Sequence, residues 1–301
     1  MTARSRPRAV LAMWDGIAQA AFAPDQRRRL ADCVDLVREQ AIRSFADLPD
    51  DQLREVEVVV GHWGCPQLDG EALARLPKLR LFAYAAGSVK EGGTVTPAVF
   101  ERGVVVTTAV VANAIPVAEY TLAVILLANK GAFLARERVR DPDGPEVREP
   151  VPLGNLGKRI GIIGASRIGR RVLELLGPFD LEPVVHDPYL TEDDASGLGV
   201  QAVTLDELVS TSDVVTIHAP LTPATEGLIG RRQLAAMKDG AVLVNTARGR
   251  LVDTDALEEE LATGRISAVL DVTWPEPLPP ESALLRLPNA FVTPHVAGST
   301  G

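Results

Sequence analysis

The sequence predicts an α/β protein made of two doubly wound parallel-sheet domains. Three observations lead there. The chain has 301 residues, too long for one ordinary core and suited to one large or two medium domains. Short apolar runs recur between helical stretches along its length. Most of these runs are unbroken Val, Ile and Leu rather than alternating with polar residues, the pattern of strands buried on both faces of a parallel sheet.

The elements follow in order. Candidate strands are AVLAM (9–13), VEVVV (56–60), LRLFAY (79–84), GVVVT (103–107), RIGIIG (159–164), LEPVVH (181–186), DVVTIH (213–218), AVLVNT (241–246), SAVLDV (267–272) and AFVTP (290–294). Helical patterns lie at 170–179, 205–210, 230–237 and 255–264. The last has Asp253 or Thr254 as its N-cap and Gly264 as its stop. Residues 113–130, NAIPVAEYTLAVILLANK, read as a long helix that is apolar on most sides. Such a helix belongs between domains or in a subunit interface rather than at a free surface. The stretch 136–157 is rich in Pro, Gly and charge and reads as a surface arm. The expected division is one domain over 1–105, rejoined by 292–301, and a second over 106–291 with the long helix.

Composition narrows the function. Apolar residues make up 46% and charged residues 24%, the balance of a soluble globular enzyme. Aromatics are sparse at 4%, so Val, Leu, Ile and Ala must build the core. The formal charge of −9 argues against nucleic acid and anionic membrane as partners. No apolar run is read as reaching transmembrane length, and residues 9–13 are too short for the core of a signal peptide. Cys33 and Cys65 are outside any C-x-x-C, as expected of idle thiols in a reducing, cytoplasmic setting. No metal is expected.

The stretch GIIGASRIG (161–169) nearly spells the G-x-G-x-x-G dinucleotide turn, with Gly164 and Gly169 in place and Ser166 where the second glycine belongs. Its context supports a Rossmann reading: a strand precedes it and a helix follows. The first glycine allows the tight turn, and the third lets helix and strand pack closely. The helix N-terminus offers unpaired N–H groups and a positive dipole end to a pyrophosphate. Ser166 is small, and its hydroxyl can donate to a phosphate oxygen. Asp187 closes the next strand, LEPVVHD. A carboxylate there accepts from a ribose 2′-OH and repels a 2′-phosphate, which favours NAD over NADP.

Three further stretches follow strands at the carboxyl edge of this sheet, where ligands bind in such folds. They are NTARGR (245–250), DVTWPEP (271–277) and TPHVAGST (293–300). Each presents an ionisable residue among small or turn-forming neighbours: Arg248, Glu276 and His295. Singly, these are a surface arginine, a solvated loop glutamate and a core histidine. Together they are an anion-binding group, a proton donor and a partner that tunes the donor.

The order and spacing of these motifs resemble the D-isomer-specific 2-hydroxyacid dehydrogenase family. The matching stretches are GKRIGIIGASRIGR, VVHDPY, VVTIHAPLTPATEGLIG, MKDGAVLVNTARGRLVD, LDVTWPEPLP and TPHVAGST, with NAIPVAEYTLAVILL matching the family's long helix. Residues 105–301 resemble the family strongly and the first 100 loosely. DVTWPEPLP is most similar to the glyoxylate and hydroxypyruvate reductase branch. The resemblance implies a Rossmann NAD-binding domain and a smaller flavodoxin-like substrate domain, and the family's habit makes a homodimer the expected assembly.

It also implies roles. Arg248 would bind the 2-keto acid carboxylate and polarise the carbonyl, its planar fork bonding two oxygens at once. His295 would protonate the carbonyl oxygen as hydride arrives, with a pKa near working pH. Glu276 would orient His295 and favour its protonated form. Asp271 would hold the nicotinamide carboxamide. Arg167 and Ile168 would offer backbone to the pyrophosphate. His218, Ala219 and Pro220 would flank the cofactor, with Thr246 and Ala247 at the nicotinamide end. In the first domain, Ala86, Gly87 and Ser88 would offer amides to the substrate carboxylate. His62, after VEVVV, borders the pocket or simply packs; His186 is incidental.

The chain departs from the family in three places. AAGSVKEGG (85–93) carries Lys90-Glu91-Gly92-Gly93 where an acid is usual. Thr108-Ala109-Val110-Val111 replaces an N-x-P-G run before the long helix, which puts the local backbone path in question. Family chains run on for about a helix past TPHVAGST, so the sequence is expected to be cut short after Gly301, leaving apolar surface on the first domain. Alternatives are an NAD(H)-sensing binding protein of the same fold, and a related oxidoreductase acting on formate or phosphite. The His295–Glu276 pairing opposes both: a pure sensor needs no proton donor, and formate chemistry usually changes that pair.

Overall fold

The computed structural model describes residues 6–89, 93–144, 146–150 and 152–298. The described chain forms two compact units that divide between Asn113 and Ala114.

The first unit runs β1 (Arg8–Ala12), α1 (Ile17–Ala21), α2 (Pro24–Cys33), β2 (Asp35–Leu36), α3 (Asp50–Leu53), β3 (Val58–Gly61), α4 (Gly70–Arg75), β4 (Leu81–Tyr84), α5 (Pro97–Glu101) and β5 (Val105–Thr108). Its five strands are parallel in the order β2-β1-β3-β4-β5, the flavodoxin-like order. Alternate residues of β1 and β3 point to opposite faces, so Val10 and Val59 enter one core while Leu11, Val58 and Val60 enter another. This explains why these strands read as continuous apolar runs.

The second unit follows α6 (Val110–Asn129), in which the division falls. It contains α7 (Ala132–Arg140), β6 (Lys158–Ile163), α8 (Arg167–Leu176), β7 (Leu181–His186), α9 (Glu192–Gly197), β8 (Gln201–Ala202), α10 (Leu205–Thr211), β9 (Val214–Ile217), α11 (Arg231–Ala236), β10 (Val242–Asn245), α12 (Thr254–Ala262), β11 (Ser267–Leu270) and β12 (Ala290–Val292). The seven strands are parallel in the order β12-β11-β10-β9-β6-β7-β8. Chain order reverses between β6 and β9, which makes their carboxyl ends the topological switch point where doubly wound sheets bind ligands.

All ten expected strands form, with ends shifted by no more than two residues. The two missed strands, β2 and β8, are two-residue edge strands, too short to show a hydrophobic pattern. The N-cap of α12 is Asp253, whose Oδ1 accepts from the Ala256 N–H at 3.1 Å.

Four expectations need correction. The boundary lies at 113/114 rather than 105/106, because β5 pairs with β4 and belongs to the first sheet. Residues 292–298 stay with the second unit, since Thr293 N–H donates to Leu270 O and His295 N–H to Asp271 O. The long helix begins at Val110 rather than 113: Thr108–Val111 has no Gly or Pro to delay it, and Ala109, just before the helix, is held through its N–H by Tyr84 O and Ala86 O. Residues 136–140 belong to α7 instead of an arm, because Leu134 anchors that helix in the interior and a Glu137–Arg140 ion pair spans its last turn.

Helix α6 is also long and apolar enough to cross a membrane, with a mean hydropathy of 1.9, contrary to the reading that no run reaches that length. Length and composition alone do not make a span: Ala118, Val124, Ile125 and Ala128 of this helix pack into a core cluster with β6 and α8.

Candidate active site

The turn after β6 is built around two glycines. Gly164 has φ +98°, and a methyl group there would lie 2.7 Å from Ala219 N and 2.9 Å from His218 C. A methyl on Gly169 would meet Gly164 O at 2.1 Å. The first contact brings the glycine turn against the β9 loop at the switch point; the second lets α8 start directly on the turn. Both positions therefore exclude any side chain.

Ser166 is the N-cap of α8, its Oγ accepting from Gly169 N–H at 3.3 Å. That bond was not foreseen: the serine satisfies one helix-end donor from within the chain. The N–H groups of Arg167 and Ile168 begin the helix and so have no intrahelical acceptor, which leaves them to an anion at the positive helix end. Asp187 sits beside the turn. Its Oδ2 accepts from Ala165 N–H at 2.8 Å and its Oδ1 from Tyr189 N–H at 2.9 Å. The acid thus braces the glycine turn, and each oxygen keeps a further lone pair.

His218, at the end of β9, is 4% exposed. Its Nε2 lies 3.1 Å from Thr216 Oγ1, while Nδ1 has no hydrogen-bond partner among the described residues. Burial pushes its pKa down to about 3, so the ring is neutral. Ala219 is buried and Pro220 exposed at the same edge. The close-packed glycines, the free helix end, the acid and the orphaned histidine nitrogen fit a dinucleotide.

The ionisable trio comes together on neighbouring loops of this unit. His295 Nδ1 lies 2.7 Å from Glu276 Oε1, so Nδ1–H donates to the carboxylate. The His295 bond holds the Glu276 carboxyl below its usual range, burial opposes this, and the charges of His295 and Arg248 add to the lowering. Arg248 is thus near enough to act on Glu276. Asn245 shapes the arginine loop: its Oδ1 accepts from Ala247 N–H at 3.0 Å and its Nδ2 donates to Arg248 O at 2.8 Å.

A carboxyl group with a lowered folded-state pKa contributes stability above its unfolded value, here 4.5, and loses it as pH falls through the folded value. The side chains are 43% and 41% exposed, so this contribution is small. The difference in melting temperature between wild type and Glu276→Gln is expected to shrink as pH drops from about 6 to about 3. A difference that stays constant across that window would contradict the pairing.

Asp271 was expected to face a carboxamide. It is 1% exposed, and the histidine loop closes around it. Oδ1 accepts from Thr293 Oγ1 at 2.6 Å and Val296 N–H at 2.8 Å, and Oδ2 from Ala297 N–H at 2.9 Å. His295, between these anchors, has φ +56°. Thr246 and Ala247 are buried at the end of β10, with Thr246 Oγ1 at 3.1 Å from Thr121 Oγ1.

Two residues escaped the sequence reading. A methyl on Gly249 would fall 2.0 Å from Thr273 O and 2.6 Å from Trp274 N. This bare backbone contact joins the Arg248 loop to the Glu276 loop; the isolated glycine in TARGR was the available signal. Tyr120 Oη lies 2.9 Å from Thr293 Oγ1, and no sequence signal links positions so far apart.

In the first unit, His62 is buried after β3, its Nδ1 accepting from Trp63 N–H at 2.7 Å, and burial lowers its pKa. Ala86, Gly87 and Ser88 lie in the loop after β4, with Ala86 buried. Lys90, Glu91 and Gly92, like Ser299 and Thr300, fall outside the described residues. His186 packs structurally, its Nδ1 at 3.0 Å from Val203 O. Cys33 is exposed, and burial pushes the Cys65 thiol up to about 12.

A doubly wound sheet with a glycine turn at its switch point and an acid closing the next strand is the architecture of a dinucleotide-binding domain. Residues 122–297 match the D-isomer specific 2-hydroxyacid dehydrogenase, NAD binding domain. The chain belongs to the D-isomer specific 2-hydroxyacid dehydrogenase family.

Among its relatives, a D-3-phosphoglycerate dehydrogenase of Archaeoglobus fulgidus is 35% identical over 78% of this chain and 44% of its own length. A glyoxylate reductase of Korarchaeum cryptofilum is 35% identical over 77% of this chain and 71% of its own. The chain therefore spans less than half the length of the phosphoglycerate dehydrogenase relative. Among solved structures, a Thermus thermophilus protein superposes with a TM-score of 0.76 at 32% identity, covering 98% of this chain and 90% of that one. The Aquifex aeolicus D-lactate dehydrogenase, solved with NAD and lactic acid, gives 0.73 at 26% identity, covering 96% and 88%.

Proposed function

We propose that the protein transfers a hydride between NAD(H) and a small 2-keto or D-2-hydroxy acid. The observation that carries this reading is the His295 Nδ1–Glu276 bond of 2.7 Å, with Arg248 close enough to act on the same carboxylate. NAD(H), when bound, supplies or takes the hydride. Gly164, Ser166, Gly169 and the N–H groups of Arg167 and Ile168 would hold its pyrophosphate. Asp187 would take the adenosine ribose, and His218, Ala219, Pro220, Thr246, Ala247 and Asp271 would line the nicotinamide side.

Arg248 would bind the substrate carboxylate in a two-oxygen fork and draw charge from the adjacent carbonyl. With Nδ1–H on Glu276, His295 would use Nε2 to give a proton to the carbonyl oxygen, or take one from the hydroxyl in reverse. Glu276 keeps the ring oriented and favours the imidazolium. Ala86, Gly87 and Ser88 of the first unit would supply further substrate contacts. Asp187 supports NADH over NADPH, since its carboxylate repels a 2′-phosphate.

Glyoxylate and hydroxypyruvate are the first substrates proposed, on the DVTWPEPLP stretch and the glyoxylate reductase relative. Phosphorylated 3-carbon analogues come next, because D-3-phosphoglycerate dehydrogenases are equally similar. A cytoplasmic homodimer completes the proposal; the half-exposed Ile115 and Leu127 of α6 support such a contact.

The test is NADH oxidation, followed by absorbance, with glyoxylate, hydroxypyruvate, 3-phosphohydroxypyruvate, pyruvate, phenylpyruvate and branched 2-keto acids. NADPH is run in parallel. Turnover with one member and a marked NADH preference is expected. Binding of NADH without turnover of any member would instead indicate a cofactor sensor.

A further inference from the structure

The two loops that carry Arg248 and His295 are both tied to one helix. On the histidine side, Thr293 O–H is given to Asp271 Oδ1, so Tyr120 O–H is the donor in the 2.9 Å contact with Thr293 Oγ1. The chain of donors runs Tyr120, Thr293, Asp271. The same Asp271 carboxylate holds the N–H groups of Val296 and Ala297, and its backbone carbonyl holds that of His295 at 2.9 Å. The left-handed backbone of His295 costs energy in isolation and persists where its surroundings over-determine it.

On the arginine side, Thr121 O–H is given to Val117 O at 2.8 Å. Its single proton is then spent, so Thr246 O–H is the donor in the 3.1 Å contact with Thr121 Oγ1. Thr121 is fully buried and Thr246 6% exposed. Thr246 stands two positions before Arg248, inside the turn that Asn245 closes. Adjacent residues of α6 thus anchor both loops.

We propose that Tyr120 and Thr121 are positioning residues for the reaction, Tyr120 fixing the His295 loop through Thr293 and Asp271, and Thr121 fixing the Arg248 loop through Thr246. One rigid helix then sets the spacing between the group that grips the substrate carboxylate and the group that moves its proton. Positioning of this kind is felt mainly in turnover, since a small misplacement weakens the transition state more than the ground state. Neither side chain touches substrate or cofactor in this reading.

The role of these residues in catalysis rests on the proposed hydride transfer; the anchoring of the two loops does not. The experiment therefore has two readouts. In the first, Tyr120→Phe and Thr121→Val are each expected to lower kcat about 3- to 10-fold, as for loss of one hydrogen bond, with a smaller change in the NADH dissociation constant, since Asp271 and Thr246 also line the proposed nicotinamide side. Because they act on different loops, the double variant should lose about the product, roughly 10- to 100-fold. Thr121→Ser keeps the hydroxyl and should restore kcat. Tyr120→Phe should add little to Thr293→Val, which already breaks the same chain.

The second readout needs no turnover. The chain has 4 histidines, and their ring signals in 13C-labelled protein are assigned by single replacement, His295 by His295→Gln. Tyr120→Phe should shift or broaden the His295 signal and leave those of His62 and His186 in place. Failure of every 2-keto acid to react, with the His295 signal still moved by Tyr120→Phe, would remove the enzymatic reading and keep the anchoring. Unchanged kcat and an unchanged His295 signal in the double variant would overturn the proposal. So would a loss of kcat in Thr121→Ser equal to that in Thr121→Val. A fall in melting temperature that tracks every kinetic loss would likewise reduce both residues to packing.

Discussion

Turnover in His295→Ala is expected to fall about 100- to 10,000-fold, the usual contribution of a positioned general acid. NADH affinity should hold, because His295 lies on the loop after β12, apart from the glycine turn after β6. One complication is the backbone. His295 sits at φ +56°, where alanine is disfavoured and asparagine is well tolerated. His295→Asn is therefore the cleaner variant, removing the titrating nitrogen while accepting the conformation. Both replacements should lose activity alike. Near-wild-type rates in His295→Asn would end the assignment of this residue as proton donor. A large loss in alanine alone would point to backbone strain.

Gly249→Ala should be nearly as damaging for a different reason. The added methyl would meet the Thr273 carbonyl at 2.0 Å and the Trp274 nitrogen at 2.6 Å, and both are backbone atoms that no rotamer change can move aside. The loops carrying Arg248 and Glu276 must separate. A displacement on the order of 1 Å at a reacting group can cost about 100-fold, and overpacking typically destabilises by about 1–3 kcal/mol. The expected result is a fall of about 100-fold in kcat/KM for the 2-keto acid, a lowered melting temperature and retained NADH binding. Unaltered kinetics would mean that the contact between these loops does not align the site.

The two variants also mark what could be read along the chain and what could not. His295, Glu276 and Arg248 stand out because each is an ionisable residue among small or turn-forming neighbours in a stretch that follows a strand. Gly249 did not, although it adjoins Arg248, since its partner is the backbone of residues 273 and 274 and leaves no trace in side-chain identity. In sequence Ser166 is a small substitution with a hydroxyl for phosphate, yet in the fold its Oγ also caps α8 by accepting from Gly169 N–H. Asp187 and Asp271 were assigned to a ligand. Both are also structural acceptors, one for the glycine turn and one for the histidine loop. A carboxylate has enough lone pairs for both kinds of partner, so residue type and position could not separate the roles.

Local pattern sufficed for the parallel sheets, the glycine turn and the placing of Arg248, Glu276 and His295 after strands. Burial on both faces forces continuous apolar strands, and a tight βα turn demands glycine where side chains collide. These constraints act within a few residues and are written in the chain itself. The start of α6 at Val110, the passage of residues 292–298 into the second unit, and the ties from Tyr120 and Thr121 to two distant loops were decided by tertiary packing. Tyr120 and Thr293 are 173 positions apart. Each hydroxyl has many possible partners along an extended chain, and only the closed fold, by burying one carboxylate and demanding that its acceptors be filled, selects which of them meet.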